Sequence, residues 1–174
     1  MRRQSVLLLT TMSFIFLSTN PAVSDLSKTI SYTDFSDTTG LTLSYRAAEL
    51  TGSDNRLHLQ DGRFQRGVAL LTNTIVLDET FNTYFQFQIF NTVERFGSGS
   101  GADWLLFTIQ TDDGIYDESG NSIGVEFDIW NNGAYDNYSG NHIGVNINYD
   151  LVSVVTQHVS PDFNNEQVWN AWID

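Results

Sequence analysis

The stretch Ile123-Gly-Val-Glu-Phe-Asp-Ile-Trp-Asn-Asn-Gly-Ala-Tyr-Asp-Asn-Tyr-Ser-Gly-Asn-His-Ile-Gly-Val-Asn-Ile-Asn148 decides how this chain is read. Two alternating segments flank a loop crowded with side-chain oxygens. In the first, Val125, Phe127 and Ile129 share one face of a strand and Glu126, Asp128 and Trp130 the other, because successive strand side chains point to opposite faces. In the second, Ile143, Val145 and Ile147 alternate with His142, Gly144, Asn146 and Asn148. Glu126 and Asp128 therefore project side by side. The loop adds Asn132 and Asp136, and His142 opens the returning strand. Carboxylates packed this closely repel one another unless a cation sits among them, so the pattern predicts a divalent-metal site.

The donor types narrow the ion. Carboxylate and amide oxygens suit Ca2+, whereas carboxylates with one imidazole suit Mn2+ or another divalent transition metal. Glu126, Asp128, Asp136 and His142 make a transition-metal set. Asp128, Asn132, Asp136 and a backbone carbonyl near Trp130 make a calcium set, with Asp128 and Asp136 bridging the two. Any one of these residues alone fits a solvated polar strand face better than a metal site. The whole constellation, with both strand patterns in register, points to metal.

Outward from this loop, almost everything after Ser27 reads as strand and turn. Candidate strands cover 30–35, 41–45, 56–59, 67–77, 83–91, 104–110, 151–155 and 168–173. The alternation is clearest at 83–91, where Phe85, Phe87 and Ile89 face one way and Tyr84, Gln86 and Gln88 the other. Asp61-Gly62, the Gly97-Ser-Gly-Ser-Gly101 run and the polar segment 111–122 are turn or loop signals. There is no sustained helical periodicity and no internal repeat. Many short strands with turn signals predict two packed antiparallel sheets, an all-β sandwich.

At this point the segment from Glu126 through Asn148 resembles the metal-binding segment of the legume-type (L-type) lectins. The resemblance extends to Gly101-Ala-Asp-Trp-Leu-Leu-Phe-Thr-Ile-Gln110, to Phe81-Asn-Thr-Tyr-Phe-Gln-Phe-Gln-Ile89 and to Gly67-Val-Ala-Leu-Leu-Thr-Asn-Thr-Ile-Val-Leu77, in the family's order. It implies the antiparallel jelly-roll β-sandwich of the concanavalin A-like lectin fold, binding of Ca2+ and Mn2+, and glycans or glycoconjugates as partners. It also implies a sugar site. Asp103 would be its acceptor, Asn132 its amide and Trp130 the aromatic on the ring. Gly120 stands for the glycine amide. In the family the Ala102-Asp103 peptide bond is cis and held by the metals, which links ion to ligand, since a cis non-proline bond costs about 3–4 kcal/mol.

Several positions depart from the family. Trp104 stands where Gly is usual, a bulky side chain expected to narrow or reshape the pocket. The 111–122 loop is short. The step from Asp136 to His142 is one residue longer than the family's commonest spacing, so Asn137 is an alternative to Asp136. The chain ends on Trp169-Asn-Ala-Trp-Ile-Asp174, where the family's strand continues, so a C-terminally truncated lectin domain is expected.

Residues 1–24 read as a signal peptide: Arg2 and Arg3, an apolar core from Val6 to Leu17, and Ala22-Val23-Ser24 as cleavage site. That predicts a secreted or extracellular protein (periplasm or cell surface in a bacterium) with its lectin domain at 25–174. The apolar core is short for a membrane span. The net charge of −13 argues against nucleic acid, which needs a basic surface. With no cysteine there is no disulfide, and metal binding is a substitute source of stability. Asn137-Tyr-Ser139 is a glycosylation sequon inside the loop. A glycoside hydrolase on the same sandwich needs Glu-x-Asp-x-x-Glu on one strand, and here the third acid is Asn131. The expected function is therefore non-catalytic: a lectin, or alternatively a structural or adhesive surface module that keeps the fold without sugar.

Overall fold

A computed structural model of the chain describes residues 5–17, 29–45, 47–48, 54–60, 66–73, 75, 80–91, 104–111 and 121–174. Among these residues the chain forms eleven strands: β1 Ser5–Leu17, β2 Thr29–Tyr32, β3 Leu41–Tyr45, β4 Leu57–Gln60, β5 Gly67–Leu71, β6 Thr80–Asn91, β7 Trp104–Gln110, β8 Ser122–Asp128, β9 His142–Ile147, β10 Val155–His158 and β11 Val168–Ile173. A 3-10 turn, Gly133–Asp136, interrupts the loop after β8. Every pairing with a defined register is antiparallel. The protein is all-β, as the alternation predicted. No helix among the described residues is long and apolar enough to cross a membrane.

The chain divides into two compact units. The first rests on Ile89–Gln167 and carries a four-stranded sheet in the order β10-β9-β8-β7. Its apolar face buries Leu105, Phe107 and Phe127. Phe127 meets Phe163 edge to face at 5.8 Å, a geometry worth roughly 0.5–1.5 kcal/mol beyond the area buried. Asn141 fixes Phe163 in place. Its Oδ1 accepts the Phe163 N–H at 2.9 Å, and its Nδ2 donates to the Val159 carbonyl at 2.7 Å.

The second unit comprises Leu7–Asp61, Gln65–Gln88 and Val168–Asp174. Its larger sheet runs β11-β6-β1-β2, with β4 also paired to β1, and β3 pairs β5 separately. The alternation at 83–91 holds: Thr83, Phe85, Phe87 and Ile89 are buried. On the other face of β6, Tyr84 meets Trp172 of β11 with ring centroids 5.0 Å apart. Tyr84 and Gln86 both donate to Asn170 Oδ1, at 2.7 and 2.9 Å.

The structure departs from the sequence reading most in the bounds of three strands, and it also pairs a segment that the reading kept out of the fold. Ser5–Leu17, set apart above as a signal core, is a strand here, paired with β2 and β4. An apolar run containing β-branched residues serves a strand flanked on both edges as well as it serves a signal sequence. The strand expected at 67–77 ends at Leu71, that at 30–35 ends at Tyr32, and the one placed at 151–155 lies at Val155–His158. In the last case Leu151, Val152 and Val154 form bends, and only Val155 of the expected strand is paired. The proposed cleavage site lies outside the described residues.

Candidate metal centre

The register of the four-stranded sheet places the site. Trp104 pairs with Asp128, Asp128 with His142, and His142 with His158, so one row crosses all four strands. The next row runs Leu106, Glu126, Gly144 and Thr156. Directly paired residues share a face, so Glu126, Asp128 and His142 project to the same side. All three are buried, as is Asp136.

Asp136 reaches this face through the loop. Gly133 has φ +77°, a conformation that disfavours any side chain, and starts the 3-10 turn. Asn137 and Tyr138 follow at φ 50° and 61°, and the Tyr138 N–H closes back on the Gly133 carbonyl at 2.8 Å. This tight reversal takes up the long step to His142 and turns the Asp136 side chain inward. Its Oδ2 accepts the Asn132 N–H. Asn137 is exposed, so Asp136 and not Asn137 belongs to the cluster.

Asp128, Asp136 and His142 each offer a donor atom, and these atoms all lie within 4.8 Å of one another. Glu126 joins through His142, whose Nε2 lies 3.2 Å from Glu126 Oε1. His142 Nδ1 is buried with no hydrogen-bond partner. A fully buried orphan of this kind calls for an explanation, and an ion is one. The spacing fits as well. Donors about 2.0–2.6 Å from a shared divalent ion stand roughly 3–5 Å from each other. Buried acids without a compensating cation are costly, by several kcal/mol per charge.

The other expected residues are placed as follows. The Trp130 N–H donates to Asp128 Oδ1 at 2.6 Å, and Trp130 is half-buried. Asn132 precedes the 3-10 turn, and its side chain does not cap it. Asp103 and Gly120 lie outside the described residues. Trp104 lines a cleft on this face together with Leu106, Thr108, Glu126, Asn146 and Tyr149.

No protein-family model matches this chain, and no curated protein matches it.

Two hydrogen-bonding neighbours of Glu126 escaped the sequence reading. Asn146 Nδ2 donates to Glu126 Oε2 at 2.9 Å, and the Ser153 hydroxyl contacts Glu126 Oε1. Alternation already put Asn146 on the His142 face, so its signal was present. Ser153 arrives from an irregular connection, where no periodicity marks it.

Proposed function

We propose that this chain is a secreted, non-catalytic carbohydrate-binding protein of the legume-lectin kind, built as a jelly-roll β-sandwich and dependent on Ca2+ and Mn2+ or a similar divalent metal. The observation that carries this reading is the buried trio Asp128, Asp136 and His142 with Glu126 against the imidazole. When bound, the ion supplies the positive charge that lets these acids share one face. Asp128, Asp136 and His142 would hold it, with Glu126 beside His142 and with Asn132 and the Trp130 carbonyl on the calcium side.

The sugar contacts are the chain's own. Asn132 can both donate and accept, Trp130 offers a ring face, and Asp103 and Gly120 complete the set the resemblance implies. The loop that carries Asn132 and Trp130 is tied to the ion-binding acids by two backbone bonds, Asn132 N–H to Asp136 and Trp130 N–H to Asp128. Ion binding would thereby fix the sugar-binding backbone. Asn131 stands at the third acid position of a hydrolase strand, and its amide holds the Tyr138 carbonyl at 2.9 Å.

A structural or adhesive module is the second reading. Leu151, Val152, Val154 and Val155 are exposed at the sheet edge beside β10, an apolar run suited to docking rather than to sugar. A glycan array run with Ca2+ and Mn2+, then with chelator, separates the two. The lectin reading expects binding that chelator abolishes and that Trp130→Ala removes without loss of metal. A flat array from a chain that still takes up metal overturns it in favour of the module.

A further inference from the structure

The Glu126 carboxylate is held on both oxygens. His142 Nε2 and the Ser153 hydroxyl meet Oε1, and Asn146 Nδ2 meets Oε2. Ser153 Oγ also lies 2.6 Å from Asn146 Oδ1, so three side chains close a ring. One hydroxyl has one proton, which serves one acceptor at a time. Among the described residues the only ion-pair partner of Glu126 is His142. The carboxylate is oriented by an imidazole, a hydroxyl and an amide.

This ring needs empty space. Gly144 stands directly opposite Glu126 in the β8–β9 register. A Cβ at Gly144 would lie 2.2 Å from Ser153 Oγ and 2.3 Å from Glu126 Oε1. A side chain there would push the ends of the Ser153 and Glu126 side chains out of their present positions. The glycine is what lets a residue from the 151–154 connection reach across the strand and touch an acid two strands from the sheet edge.

We infer that Asn146, Ser153 and the notch at Gly144 form a positioning device. It presents the Glu126 carboxylate to His142 and sets the affinity of the metal centre. None of the three binds the ion; they act through Glu126, as outer hydrogen-bond partners of metal ligands generally do. The inference rests on the metal reading above.

The test is calorimetric titration of the full chain with Mn2+ alone, paired with melting temperatures in chelator. Asn146→Ala and Ser153→Ala should each weaken Mn2+ binding about 10- to 100-fold. Ser153→Thr keeps the hydroxyl and should return affinity to within a few-fold of wild type. Ser153 is only half-buried, so its variants stay informative if Asn146→Ala does not fold. Wild-type affinity in both alanine variants, with only the chelated melting temperature lowered, overturns the inference, provided Asp128→Ala loses the ion in the same titration. A wild-type chain that takes up no Mn2+ overturns the metal reading together with it.

Discussion

The sheet β7–β10 and the sheet built on β6 and β11 use the same two-residue alternation for different ends. In the β6 sheet the buried side of the alternation is almost wholly apolar, with Phe85, Phe87 and Ile89 in line. In the β7–β10 sheet both sides are buried: Leu105, Phe107 and Phe127 on one face, Glu126, Asp128, His142 and Asn146 on the other. Burial of the first kind stabilises a fold. Burial of the second kind costs stability unless each charge finds a partner. On the metal reading, a bound ion offsets that cost.

The largest expected effect tests the apolar sheet. Phe85→Ala should destabilise the protein by about 3–5 kcal/mol, as truncation of a buried aromatic does. Below its lowered melting transition, Mn2+ affinity should stay near wild type. Denaturant unfolding and calorimetry check both, and a matching loss of affinity would erase the distinction between the two sheets.

Asp128→Asn should act in the opposite way. Mn2+ affinity should fall at least about 100-fold. In chelator the variant should be as stable as wild type or more so, by about 1 kcal/mol, because one of several buried like charges is gone. A variant less stable than wild type in chelator would mean that Asp128 is a structural acid.

How much of this was legible is clearest at particular residues. The alternation put Phe85, Phe87 and Ile89 on one face of their strand and Glu126 beside Asp128 on theirs, since strand periodicity is a local property; that His142 shares this face follows from the β8–β9 register. Asp136 was named but not fixed against Asn137. Its direction depends on the φ of Gly133, Asn137 and Tyr138, which no strand pattern encodes. Ser153 was invisible because its partner Glu126 lies 27 residues away. Ser5–Leu17 carried two meanings at once, signal core and strand, and composition cannot choose between them. If the segment is removed on export, β6 and β2 lose their shared neighbour.

Smaller effects sharpen the contrast on the surface of the β6 sheet. Trp172→Ala should cost about 0.5–1.5 kcal/mol, the value of its ring contact with Tyr84, since Trp172 is largely exposed. A thermal melt suffices, and a loss comparable to Phe85→Ala would show that exposure misjudges this strand.

The smallest effect concerns acid. The Ser36 hydroxyl and N–H hold the Asp34 carboxyl below its ordinary range, and the hydrogen bonding of Thr39 does the same for Asp37. A lowered folded pKa contributes stability that is present above the unfolded value, near 3.9, and is lost as pH falls through the folded one. Asp34→Asn with Asp37→Asn should slightly flatten the fall in melting temperature between about pH 4 and pH 2. An unchanged acid limb would remove these turns from the account.

The centre itself is reached most directly by diffraction from crystals soaked in Mn2+, recorded at a wavelength where manganese scatters anomalously. The account predicts a single strong peak among Asp128, Asp136 and His142, about 2.0–2.6 Å from a donor atom of each. An anomalous map with no peak there, and His142 Nδ1 bonded instead to a protein group, would contradict it.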